Sequence, residues 1–229
     1  VRIATLAQEM IVDYAGYPSK KIAQNSHDFR PLGVGYANLG AMLMSQGIPY
    51  DSEYGREIAG AITAIMGATV YDHSARMASK LGTFDKFDEN EKPFMEVIEE
   101  HKKSSKKLRA IPNGKMNLEE LVNVAKTSWT EAEELGEEHG YRNAQGTLLA
   151  PTGTIGFLMD CDTTGVEPEI WLVKKKQLSG GGSQVLVNNS VSEGLENLGY
   201  SENQIKEINE HIKKTNGVEG APNIKDEHL

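Results

Sequence analysis

The residues best placed to do chemistry in this 229-residue chain are Pro151, Thr152, Gly153, Thr154 and Ile155. They follow a β-compatible run, Gln145 to Ala150, and precede an apolar run, Phe157 to Met159, so the order reads strand, turn, helix start. A glycine at 153 lets the backbone approach a ligand closely, and the first turn of the following helix presents amide N–H groups that have no intrahelical acceptor. Those amides, roughly half a positive charge from the helix dipole and the hydroxyls of Thr152 and Thr154 together suit a phosphate. The same residues also describe a threonine-capped helix after a buried strand, which needs no ligand. No Gly-Lys-Ser/Thr follows to make a Walker loop, and Gly33 and Gly35 leave Asn38 where a dinucleotide fingerprint has its third glycine.

Asp160, Cys161, Asp162 and Glu167 form a second cluster. Activated cysteines sit in electropositive surroundings and this one is flanked by acids, so Cys161 reads as structural. The acids lack EF-hand spacing and read as turn or cap residues, so no metal ligand is assigned. The histidines at 27, 73, 101, 139, 211 and 228 are scattered, without a His-Glu-x-x-His pair. Glu133, Glu134, Glu137, Glu138 and His139 make an acidic helix end that reads as a solvated face. Lys174, Lys175 and Lys176 could neutralise a phosphate or line a rim, and Trp129 and Trp171 read as packing residues.

These side chains sit in an acidic chain, with a formal net charge of −9 and a pI near 5.2. Polyanion-binding proteins carry a basic face, so nucleic acid is excluded as a partner and an anionic ligand must be held locally. One cysteine excludes an intrachain disulfide and any multi-thiolate metal site built from this chain, which makes the cytoplasm the expected compartment. There is neither an apolar run of about eighteen residues to span a membrane nor a signal peptide's apolar centre. The absence of Met at position 1 and of a closing signal at Lys225 to Leu229 leads to the expectation that the chain is cut at both ends. No linker divides it, and residues 1–229 read as one incomplete domain.

Helical spacing runs from Ile3 through Leu6, Met10 and Tyr14, stopping before Pro18. A short helix is predicted over Ala37–Gln46, ending at Gly47, and a long one from about Asp51 to Lys80, ending at Gly82. Asn90–Lys103 reads as a charged amphipathic helix, and the basic run Lys102–Arg109 as solvated surface. Asn117 with Glu120 forms a capping box for a helix reaching His139. After the turn come a strand over Gln184–Asn188, following the glycines at 180 to 182, and a helix opened by Ser201 and Gln204 that ends before Gly217. Long helices alternating with short buried strands indicate an α/β protein with parallel strands.

Beyond periodicity, three long words occur in order: His139-Gly140-Tyr141-Arg142-Asn143-Ala144-Gln145, then Leu149-Ala150-Pro151-Thr152-Gly153-Thr154-Ile155-Gly156-Phe157, then Met159 to Pro168. With Arg30 to Gly40 and Glu219-Gly220-Ala221-Pro222, they make the chain resemble the large catalytic chain of adenosylcobalamin-dependent (class II) ribonucleotide reductase, over essentially its whole length. The resemblance implies a helix-rich α/β fold forming part of a ten-stranded α/β barrel. It implies adenosylcobalamin as cofactor, a thiyl radical that takes the 3′ hydrogen of a ribonucleotide, and loss of the 2′ hydroxyl as water. Its phosphate loop matches Pro151 to Ile155.

The family's radical cysteine and glutamate lie in an Asn-x-Cys-x-Glu loop expected upstream, so no catalytic residue is assigned here and the chain alone is expected to be inactive. Also implied are a thioredoxin-like reductant, nucleotide effectors bound outside this segment and a homodimer. Two alternatives stay open: a non-catalytic nucleotide-phosphate-binding module, and a piece of the oxygen-dependent (class I) large subunit.

Overall fold

A computed structural model describes residues 1–112, 116–177 and 181–228. The fold divides into two compact units, Val1–Gly35 with Arg56–Leu149, and Tyr36–Gly55 with Ala150–Leu229.

The first unit holds α1 (Arg2–Tyr14), α2 (Lys20–Phe29), most of α4 (Glu53–Leu81), α5 (Phe87–Lys106) and α6 (Leu118–His139); the second holds α3 (Leu39–Ser45). Helix starts and stops follow local chemistry. The Asn117 side chain accepts from the Glu120 amide at 3.2 Å and donates to the Glu120 carboxylate at 2.8 Å, and Gly82 ends α4 at φ +82°. Ser19 caps α2, a helix over residues whose polar composition gives no apolar stripe. The capping serine was the available signal.

Aromatic rings from three helices meet in one core. Tyr71 of α4, Phe87 and Phe94 of α5, Trp129 of α6 and the following Tyr141 pack with centroids 5.1 to 6.5 Å apart. Trp129 is a packing residue as expected, 2% exposed, and Gly67 lets it lie against α4, where an added Cβ would come within 3.0 Å of the ring. The basic run and the acidic helix end are not simply solvated: Lys102 pairs with the buried Glu133, and Arg109 Nε donates to Glu57 at 2.8 Å.

Helix α1 turns the unexpected face inward. Thr5, Glu9 and Val12 are buried, whereas Ile3, Met10 and Tyr14 are 86%, 54% and 87% exposed. The cause is a buried ion network. Glu9 accepts from Arg30 Nε at 2.6 Å, from Arg142 Nε at 2.8 Å and from the Asn143 amide, while Arg30 also forks onto Asp13 with both bonds at 2.9 Å. The Arg30 guanidinium holds the Asp13 carboxyl below the usual carboxylate range.

The expected strand at Gln145–Ala150 is shorter in the structure. Leu32 N donates to Gln145 O, Val34 N to Gly146 O and Leu148 N to Val34 O, which leaves a single parallel bridge, Val34 with Thr147. Among the described residues no parallel sheet and no closed barrel form.

In the second unit β1 (Val173–Gln177) pairs antiparallel with β2 (Ser183–Val187), so the strand predicted at 184–188 is present but not in the parallel pairing expected; Gly180 lies outside the described residues. Helices α8 (Asn189–Asn197) and α9 (Glu202–Thr215) pack Val191, Leu195, Ile208 and Ile212 into a small core. Gly194 permits α8 to touch α3, since a Cβ there would lie 2.3 Å from Met44 O. No described helix is long and apolar enough to cross a membrane.

One titration follows from the α4 geometry. His73 Nε2 is buried with no hydrogen-bond partner among the described residues, and burial, then the charges of Arg2 and Arg76, lower its pKa against the opposing pull of Asp72. The unfolded chain then takes up this proton first, so stability should decline as pH falls below the ordinary value of 6.5, while no penalty exists above it. Urea midpoints measured between neutral and mildly acidic pH should show the decline, and His73→Leu should flatten it. An unchanged slope in that variant would refute the assignment.

Candidate phosphate-binding turn

Thr152 carries the turn. Its backbone is left-handed at φ 51°, ψ 31°, a conformation that costs a β-branched residue about 1 kcal/mol or more and must be held by its surroundings. Two bonds hold it: Thr152 O accepts from Gly156 N at 2.8 Å, and Thr152 Oγ1 accepts from Gly165 N at 2.7 Å. The expected threonine cap is therefore absent. Thr152 occupies the N-cap position of α7 (Gly153–Leu158), but its oxygen serves another loop.

As a result the amides of Gly153, Thr154 and Ile155 find no acceptor among the described residues. Pro151, Gly153, Thr154 and Ile155 are all exposed, and a Cβ built on Gly153 would meet nothing within 4 Å. The turn thus offers a row of open N–H donors with the Thr154 hydroxyl beside them. All five residues singled out from the sequence lie in this one turn.

The loop after α7 is organised by its own polar groups. Cys161 N donates to Gly156 O at 2.9 Å and Ser190 Oγ to Asp162 Oδ2 at 3.1 Å. Glu169 accepts from the amides of Ile170 and Trp171 at 3.0 and 3.1 Å and from the Asn188 side chain. These contacts explain Asp162 as a loop organiser, as its turn-like spacing indicated. Among the described residues no group of three or more His, Cys, Asp and Glu side chains could hold a metal ion.

A cavity of about 160 Å³ adjoins the turn, with Gly153, Phe157, Cys161, Trp171 and Lys174 in its lining. Lys174 Nζ donates to Asp162 O at 2.6 Å and lies 3.8 Å from Glu169, so its charge is largely committed. The side chains of Lys175 and Lys176 lie outside the described residues. Trp171, expected to pack, is instead 61% exposed. Not singled out from the sequence for this site were Asn38, Thr163 and Gly165, whose contacts bind the loop to the turn; their presence inside the matching words was the available signal.

The fold and this turn belong to a defined class. The family model for the ribonucleotide reductase barrel domain matches residues 1–229, and the chain belongs to that family. More particularly, it is 48% identical over 98% of its length to a vitamin B12-dependent ribonucleotide reductase of Rhodopirellula baltica, and 47% identical over 98% to the enzyme of the same name in Agrobacterium fabrum. A ribonucleoside-diphosphate reductase subunit alpha of Chlamydia muridarum is 27% identical over 79% of the chain. The chain spans about a fifth of the length of these relatives, 21%, 18% and 17% respectively.

Proposed function

We propose that these residues form the substrate-phosphate-holding part of the catalytic barrel of an adenosylcobalamin-dependent ribonucleotide reductase, within a single incomplete barrel domain over 1–229. The observation that carries the reading is the turn at Pro151–Ile155, with three open amides at a helix start in an acidic chain. The gap between 48% and 27% identity favours the cobalamin-dependent type over the subunit-alpha type. In this reading the turn binds and orients a ribonucleotide through its phosphates. Reduction, effector binding and reaction with a thioredoxin-like protein use residues outside this segment, in a cytoplasmic and homodimeric enzyme.

Adenosylcobalamin would supply radical initiation. No residue of this chain is assigned to the cofactor.

The test is amide hydrogen exchange of the chain with a ribonucleoside diphosphate or with the bare ribonucleoside. Peptides covering Gly153–Leu158 should be protected by the diphosphate alone. Equal protection by both, or none by either, would remove the phosphate reading.

A further inference from the structure

The second unit holds an apolar cavity of about 320 Å³ that shares no lining residue with the turn or with the smaller cavity beside it. Its walls are Met44 of α3 with Ile48 just after it, Leu195 of α8, Ile212 of α9, and Val218 and Ile224 in the segment that follows α9. Backbone contacts keep two of these walls from closing further. A Cβ at Gly194 would stand 2.3 Å from Met44 O, and one at Gly47 would stand 2.9 Å from Leu198 Cδ2, so α8 already touches the end of α3 at both points. The Asn197 side chain donates to Ser45 O at 2.6 Å across the same contact.

The remaining side is a strap, residues 218–228, tied down by polar bonds rather than by filling the space. Lys225 N donates to Tyr200 Oη at 3.0 Å, and the same hydroxyl bonds His228 Nδ1 at 2.8 Å. The Asn223 amide donates to Glu207 at 2.6 Å. The cavity is therefore preformed, and left dry it forfeits contacts that its lining would otherwise make.

Glu227 and His228 bring polar side chains to this apolar lining. His228 Nε2 lies 3.8 Å and Lys225 Nζ 3.6 Å from Glu227 Oε1. A hydroxyl suits this end, because it can donate to the carboxylate and accept from an imidazole N–H. A ligand carboxylate would be repelled by Glu227, and an ammonium would have to displace Lys225 from it. The volume lies at the small end of ligand pockets, with room for a substituted single ring.

We propose that this cavity is a binding site for a small uncharged molecule with an apolar body and one hydroxyl, seated under the strap with that hydroxyl at Glu227 and His228. The site is independent of the phosphate reading above.

The test is a methyl NMR titration of the chain with 4-ethylphenol, and with 4-ethylbenzoate as the charged probe of similar shape. The methyls of Leu195, Ile212 and Val218 should shift saturably with the phenol below about 1 mM, while those of Ile58 and Ile98 in the first unit stay still. The benzoate should not saturate. Val218→Phe fills the cavity from the strap and should abolish binding. Glu227→Leu should weaken the phenol about fivefold, by loss of one hydrogen bond, and should admit the benzoate.

No saturable shift with the phenol, equal affinity for phenol and benzoate, or wild-type binding in a folded Val218→Phe variant would overturn the proposal. So would shifts of the same methyls on raising the chain's concentration alone, which would place a second copy over the cavity. Should Val218→Phe unfold, Ile224→Phe fills the same space and carries the same expectation.

Discussion

Glu9→Gln should destabilise the first unit by about 3–5 kcal/mol, because it breaks a buried ion pair from one side only. The Glu9 side chain is 4% exposed and Arg30 6%, so neither can fall back on water. Glutamine keeps the shape but removes the charge that faces two guanidinium groups, and its amide must turn an N–H toward one of the three donors that converge there. Against a typical stability of about 5–15 kcal/mol, such a loss is a large fraction of the whole.

The control is Asp13→Asn. Asp13 also bonds Arg30, yet it is 51% exposed, so solvent screens the pair and its loss should cost about 1 kcal/mol or less. Urea unfolding followed by tryptophan fluorescence would separate the two. Equal midpoints for the two variants would show that the network does not hold the unit together.

Gly136→Ala offers an opposite-sign comparison. In an exposed helix the change would stabilise by about 1 kcal/mol through helix propensity. Here the new Cβ would stand 2.1 Å from Tyr141 Oη and 2.2 Å from Cζ, inside a ring that is fully buried and whose hydroxyl donates to Ala132 O at 2.8 Å. Moving that ring forfeits packing and a buried hydrogen bond, together about 3–5 kcal/mol, so the net result should be a loss of about 2–4 kcal/mol. The decisive measurement is a double-mutant cycle. In a Tyr141→Ala background the clash vanishes, and Gly136→Ala should become neutral or stabilising. Additive effects would contradict the steric account.

Both predictions concern residues inside or beside the matching words, and both describe structure rather than chemistry. Arg142 and Asn143 belong to the Glu9 network, and Tyr141 fills the aromatic core. Legible words therefore do not by themselves separate residues that build the fold from residues that meet a ligand. The turn was legible as a candidate ligand site because glycine and threonine before an apolar run have a specific backbone consequence. Its geometry was not, since a threonine at that position predicts a cap and only the distant Gly165 amide redirects it.

Local chemistry determined the helix boundaries. Proline, glycine and asparagine act within a few residues of where they stand, so Pro18, Gly82 and Asn117 could be read directly. Composition likewise determined that an anion must be held by local donors in an acidic chain. What only the tertiary structure decided depends on partners far apart in sequence. Periodicity marked α1 as a helix with an apolar stripe, but the buried face became the one bearing Glu9, because Arg30 and Arg142 converge on it from 21 and 133 residues away. The open amides of the turn have the same origin: a hydrogen bond between residues 13 apart, kept in place by a side chain 125 residues from the loop it grips. An amino-acid pattern records what each segment can do, and the choice among those options is made by the long-range contact with the largest desolvation cost if left unmade.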